Sequence, residues 1–324
     1  MKRRHFLGMA APLGLGAALL DAPAWAQGGS SHAVRMQVGA TPGGGTDIVA
    51  RALAQAMEAE LRRSVVVENK PGAGGNIAAS TVAQAAGDPN LLLLAYTSHA
   101  INPGIGIKQN FEPLDDFTPL SLVATSPLLL VCHPDLPVKN TAELIAYARR
   151  NPGKLSMAGA GLGSASQLAG EMFKAQARLD IASVPYKGAA PAVQDMLGGQ
   201  VQLMLSNVAT VRPFLEAKKL KALGVSTREP LAAYPESRPI AESLPGFDYR
   251  TWYGVLAPAK LKPADAELLE RVAMKAARSD IVRQRLSHEG LEPVGNTSAE
   301  FREFIVAEMK RWDVVAKTTG VRVG

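Results

Sequence analysis

One pattern recurs along this chain and limits what it can fold into. A short, nearly all-apolar run leads into a glycine-rich bend, and the bend opens a stretch of helical period. "VRMQVGA" (34–40) leads into "TPGGGTDIVARAL" (41–53), and "SVVVEN" (64–69) runs into "ENKPGAGGNIAAS" (68–80). "KLSMAGA" (154–160) runs into "AGAGLGSASQLAG" (158–170), and "IASVPY" (181–186) into "VPYKGAAPAVQDMLGGQ" (184–200). Further strand-like runs are "NLLLLAYT" (90–97), "SLVA" (121–124), "PLLLVCHP" (127–134), "VQLMLSN" (201–207), "LKALGVST" (220–227) and "WYGVLAP" (252–258). Runs this apolar suit strands covered on both faces. After the first bend Ile48, Val49, Ala52, Leu53 and Ala56 recur at a 3.6-residue period. Alternation of this kind predicts an α/β architecture with mostly parallel sheets.

In parallel sheets such bends collect at the carboxyl edges of the strands, where open α/β folds bind ligands. Each helix start brings unpaired N–H donors and a partial positive charge, contributing about 0.3–1 kcal/mol toward an anion and up to ~2 when partly buried. Several such starts facing one cleft can hold an anion without a buried arginine. Asn76 is expected to cap the second helix, and Ser164-x-x-Gln167 has the form of a capping box.

The first residues obey different rules. "MKRRHFLGMAAPLGLGAALLDAPAWAQ" has a basic start, a short apolar stretch and a small-x-small end at Ala24–Ala26, the layout of a secretory signal. Arg3-Arg4 also fits a twin-arginine export signal. Cleavage near Ala26 is expected, leaving an exported chain of roughly 300 residues, enough for one large domain or two smaller ones. The leader removes Lys2, Arg3, Arg4 and Asp21, so the net charge of +6 falls by two. With no basic run carrying interleaved aromatics, nucleic acid is not an expected partner. Cys132 is the single cysteine and reads as an inert buried thiol.

Signals for catalysis are missing. Gly159-x-Gly161-x-Gly163 has its third glycine one residue early for a dinucleotide loop, and neither GxSxG nor GxxxxGK[ST] occurs. His32, His99, His133 and His288 show no metal-ligand spacing. No enzyme activity, cofactor or metal is therefore expected. His99 reads as a polar loop residue. Asp47 reads first as a helix-start acid paired with Arg51 at i,i+4, with ligand contact second. Lys187 could face an anion or solvent. Tyr186 and Asn207, at strand ends, are better placed to offer hydrogen bonds.

"PGGGTDIVAR", "VVVENKPGAGGNIAA", "DFTPLSLVAT", "VPYKGAAPAVQDMLGGQV" and "LAP…EPVG", in this order over essentially the whole chain from residue 34, resemble the periplasmic receptors of tripartite tricarboxylate transporters, the Bug or TctC-type family. The resemblance implies a two-lobed type II periplasmic-binding fold that closes on a small organic carboxylate, held by loop amides, hydroxyls and water. Position by position it implies a first ligand loop at Gly43, Gly44, Gly45, Thr46 and Asp47, a second at Gly74, Gly75 and Asn76, and a third at Thr97, Ser98 and Asn102. From the other lobe it implies Gly161, Ser164, Tyr186, Lys187, Ser206 and Asn207.

Two departures stand out. The family usually has an aspartate where Ser206 stands, which argues against an amino-acid ligand here, and "VPF" where Gly39-Ala40-Thr41 stands. The expected organisation is a leader over 1–26, lobe 1 over 27–126 and 236–324, and lobe 2 over 127–235. The expected partners are membrane subunits of a transporter, with the receptor itself a monomer. The same fold could also serve a sensing pathway without a transporter.

Overall fold

The computed structural model describes residues 33–43, 45–161, 164–231, 234–288 and 290–319. The leader expected over 1–26 and Gly44 of the first glycine loop lie outside the described residues. The described residues belong to one compact unit, His32–Gly324.

The chain runs β1 (Val34–Val38), α1 (Gly45–Leu61), β2 (Val65–Asn69), α2 (Asn76–Ala83), β3 (Leu91–Tyr96), α3 (Ser98–Ile101) and the long β4 (Phe117–Cys132). It continues through α4 (Thr141–Arg150), β5 (Ser156–Gly159), α5 (Ala165–Ala177), β6 (Ala182–Pro185), α6 (Ala189–Leu197), β7 (Leu203–Asn207), α7 (Val208–Glu216) and β8 (Lys221–Val225). It ends with β9 (Arg250–Pro258), α8 (Pro263–Ala277), α9 (Asp280–His288), β10 (Glu292–Pro293) and α10 (Ser298–Thr319).

Local chemistry sets several of these boundaries. Asn140 accepts the amide of Glu143 at 2.9 Å and starts α4, where Glu143 lies in the first turn and Arg149 and Arg150 in the last, both favourable to the helix dipole. Ser164 accepts the amide of Gln167 and starts α5, the capping expected from the sequence. Pro263 opens α8 at a position where its missing N–H costs nothing. Asn76 is not the cap it was expected to be. Gly75 holds that position at φ +93°, and the Asn76 side chain bonds elsewhere.

The strands form two halves with the same plan. One half orders β2-β1-β3-β9-β4, the other β6-β5-β7-β4-β8. In each, the first of three parallel strands lies between the second and third. The next neighbour is an antiparallel strand arriving from the other half: β9 beside β3, β4 beside β7. The ladders of β4 and β9 are thus all antiparallel, and the expectation of mostly parallel sheets holds only for the outer three strands of each half.

The runs at 121–124 and 127–134, expected as separate strands, are one strand. Its ladder with β9 ends at Pro127 and its ladder with β7 begins at Leu128. Pro119 sits at a bulge, where a missing N–H does not interrupt pairing.

Apolar side chains fill both faces of each half. Val49, Leu53 and Met57 of α1 pack with Val272 and Ala276 of α8 against Met36, Val38 and Leu94. Phe301 and Ile305 of α10 pack with Trp252 on the other face. Further along the same helix, Trp312 and Val315 join Phe173, Phe247 and Tyr249 in the core of the other half.

Candidate functional site

The carboxyl ends of the parallel strands in both halves face a shared cavity of about 210 Å³. The β1–β3 half contributes Gly45 and Thr46 at the start of α1, then Tyr96, Thr97, Ser98 and Ile101 after β3. The other half contributes Ser164 to Ser166 and Leu168 of α5, Ala189 of α6, Ser206 and Asn207 at the end of β7, and Thr210 of α7. Thr251 and Tyr253 of β9 form part of the wall. A second chamber of about 350 Å³ shares Gly45, Ala189, Asn207, Thr210 and Tyr253 with the first and reaches Gly43 and Leu291.

Four helices of eight residues or more, α1, α5, α6 and α7, therefore begin at this space. No Asp, Glu, Lys, Arg or His is among the described residues lining either chamber. The walls are hydroxyls, amides, aromatic edges and helix amides. That arrangement suits an anion held by dipoles rather than by a counter-charge. It offers neither a nucleophile–base pair nor a ligand set for a metal among the described residues.

A larger depression of about 700 Å³ lies over the end of α1 and the α8–α9 junction, lined by Glu60, Arg271, Lys275 and Arg278 among others. No glycine loop reaches it, and Lys275 and Glu60 neutralise each other across it at 2.8 Å.

Of the residues picked from the sequence, Gly45, Thr46, Thr97, Ser98, Ser164, Ser206 and Asn207 line the first chamber, and Gly43 the second. Asp47, Gly74, Gly75, Asn76 and Asn102 line neither chamber and brace the loops that do. Asp47 is buried and knots the first loop. Its Oδ2 accepts the Gly43 amide at 3.0 Å and Arg51 Nε at 2.9 Å, and its Oδ1 accepts Asn69 Nδ2 at 3.0 Å. Burial alone would push its pKa up. The bonds from Arg51, Gly43 and Asn69 outweigh it, and the carboxyl titrates below its ordinary value.

Gly74, Gly75 and Asn76 form the second loop's frame. The Gly74 carbonyl accepts Ser98 Oγ at 2.6 Å, and Asn102 donates to Asn76 Oδ1 at 2.8 Å with both asparagines buried. The two glycine loops meet where a Cβ on Gly39 would stand 2.4 Å from Gly75 Cα, so only glycine fits at 39.

Tyr186 turns toward α6. Its hydroxyl donates to Asp195 at 2.8 Å, and burial, reinforced by Asp195, pushes its pKa up to about 12. Gly161 and Lys187 are not among the lining residues.

Sequence reasoning missed Tyr96, Ser166, Thr210, Thr251 and Tyr253. Thr251 and Tyr253 had a legible signal. Residues two apart on a strand share a face, and "TWYGVLAP" is a strand whose first residues would meet whatever lies at the sheet edge. His99 is no loop residue: it lies in α3 among Phe111 and Phe117, donates from Nε2 to the Pro113 carbonyl at 2.9 Å, and burial lowers its pKa to about 4.

Residues 49–321 match the family model described as the tripartite tricarboxylate transporter family receptor. The chain belongs to that family. Solved structures similar to it include R. palustris Rpa4515 with adipate, at 34% identity and a TM-score of 0.80 over 89% of this chain and 97% of that one. The periplasmic binding protein BugD is similar at 32% identity and a TM-score of 0.78, over 89% and 98%. MatC (Rpa3494) from Rhodopseudomonas palustris with bound malate is similar at 30% identity and a TM-score of 0.76, over 87% and 98%. The fold of this family member is the two-lobed periplasmic-binding arrangement anticipated from its motifs. Among the similar structures BugD is a periplasmic binding protein, and one from Polaromonas is a TctC solute binding protein.

Proposed function

We propose that this chain is an extracytoplasmic receptor that captures a small organic carboxylate between its two lobes and delivers it to the membrane subunits of a tripartite tricarboxylate-type transporter. The observation that carries the reading is a cavity with no ionised side chain among the described residues that line it, onto which four helix N-termini open. A carboxylate there exchanges water for fixed amides, whose dipoles need no reorganisation on binding. An ammonium-bearing ligand has no carboxylate to meet it: Asp47 is committed to its own loop and Asp195 to Tyr186. Adipate and malate in two similar proteins support a carboxylate of this size.

Lobe 1 is 27–126 with 236–324 and lobe 2 is 127–235. The leader is removed near Ala26, and the receptor acts as a monomer without catalysis. Closure follows from differential affinity, the ligand touching both halves only when they approach.

Thermal unfolding against mono-, di-, tri- and aromatic carboxylates, amino acids and sugars tests the reading, with native mass spectrometry reporting any ligand that co-purifies. One carboxylate class at a hundred times its dissociation constant is expected to stabilise the protein by roughly 2.7 kcal/mol. Gly45→Val, which fills the space in front of Tyr253, is expected to abolish the shift. A ligand-free protein that responds to sugars and to no carboxylate would overturn the proposal.

A further inference from the structure

We infer that Asn207, at the head of α7, reads a hydroxyl on the ligand, so that the preferred ligand is a hydroxy acid. The inference rests on the carboxylate reading above and narrows it.

An asparagine at a helix N-cap ordinarily turns its side-chain oxygen back onto the amide of the second or third helical residue, which stabilises the helix start. Asn140 and Ser164, at the heads of α4 and α5, do this. Asn207 holds the same position on α7 and makes no such bond. Its Oδ1 is nevertheless shielded from solvent and without a hydrogen-bond partner. The other orphaned side-chain atoms among the described residues, such as Trp252 Nε1 and Tyr249 Oη, belong to residues that do not line the cavity. Asn207 lines both chambers.

A buried acceptor left in this state is destabilising, because it has lost its water and gained nothing in return. Asn207 lines both chambers, so a turn of its side-chain amide presents that acceptor to a donor in the cavity, which removes the cost. The chemistry of the donor follows from what surrounds it. An ionised carboxylate has no proton to give. An ammonium meets no anionic side chain among the described residues of the lining. A hydroxyl can donate to Oδ1 while accepting from the first amides of α7, which lack intrahelical partners and go uncapped by Asn207. The ligand's carboxylate is left to the other amides and hydroxyls of the same cavity, those of Gly45, Thr46 and Ser98 among them.

The test is calorimetric binding of two matched series to the ligand-free protein: succinate, malate and aspartate, then glutarate, 2-hydroxyglutarate and glutamate. In at least one series the hydroxy acid is expected to bind roughly tenfold or more tighter than both its parent diacid and its amino analogue, the worth of one rescued acceptor. Asn207→Leu, of similar volume, is expected to bring the hydroxy-to-parent ratio to about one. Asn207→Asp, which keeps an acceptor and adds charge, is expected to move preference from the hydroxy acid to the amino acid, and it reads the same contact should Asn207→Leu not fold.

Parent diacids that bind as well as their hydroxy forms, or a ratio that Asn207→Leu leaves intact, overturn the Asn207 assignment and leave the carboxylate reading standing. Failure of both series together with every other carboxylate in the thermal panel overturns both.

Discussion

Asp47 and His99 are buried titratable residues that line neither chamber, yet each sets how the stability of the fold depends on pH. Asp47 titrates below its ordinary value of 3.8 in the folded chain, so the unfolded chain takes up the proton first. Its contribution to stability is full above that value and is lost as pH falls through the folded pKa. Asp47→Asn removes the charged bonds to Gly43 and Arg51. It is expected to cost about 1.5–3 kcal/mol at neutral pH by thermal or denaturant unfolding, and the wild type's advantage should shrink in acid.

His99 behaves differently. Its folded pKa of about 4 lies under the ordinary 6.5, so the unfolded state binds the proton first as pH falls. Stability should drop by about 3 kcal/mol between pH 6.5 and pH 4. His99→Gln, which can keep the bond to Pro113 without titrating, should flatten that slope in a pH series of melting curves. The sequence disclosed the first of these roles and concealed the second. Asp47 and Arg51 are i,i+4 neighbours on a helix start, a local relation. His99 is buried by Phe111 and Phe117, whose return to α3 is a tertiary event that a loop-like "TSHAIN" does not record.

At the scale of elements, the glycines are legible as bends, but their individual duties are not. Gly39, at the end of β1, has no unusual backbone requirement. It is glycine because Gly75 Cα passes where its Cβ would be. Backbone cannot give way there as a side-chain tip can, so Gly39→Ala is expected to cost about 1–3 kcal/mol and to part the two ligand loops. The parted loops should weaken carboxylate binding about tenfold or more, read by calorimetry. Gly198→Ala is the matched control: the space there is ordinary and φ is −83°, so stability should change within about 0.5 kcal/mol.

The apolar runs gave the strands nearly to the residue, because a strand buried on both faces leaves little room for polar interruption. They failed at β4. There Thr125-Ser126 read as a gap between two runs, while the structure carries one strand through them, absorbing Pro119 in a bulge and changing partners at Pro127.

At the scale of the whole described unit, the question is whether two halves with separate cores unfold separately. Three elements argue against it. β4 runs without a break from the β9 ladder into the β7 ladder, and β9 begins beside β4 where that change occurs. α10 seals both cores, placing Phe301 and Ile305 in one and Trp312 and Val315 in the other. Phe301 and Trp312 are three helical turns apart on one amphipathic stretch. The periodicity in the sequence therefore marks a buried face without saying that two cores share it. Cutting the chain between the halves would sever the middle strand of one ladder system or strip a core of its helix, so melting one half exposes apolar surface of the other. Calorimetry is expected to show a single two-state transition whose van't Hoff and calorimetric enthalpies agree. Trp312→Ala, by the loss of a fully buried ring packed edge-on against Tyr249, should lower that whole transition by about 3–5 kcal/mol rather than split it. Two resolved peaks in the wild type, or a Trp312→Ala trace in which only part of the heat moves, would mean that the halves are joined by chain but not by energy. A ligand held between them would then have to supply the coupling that β4, β9 and α10 are credited with here.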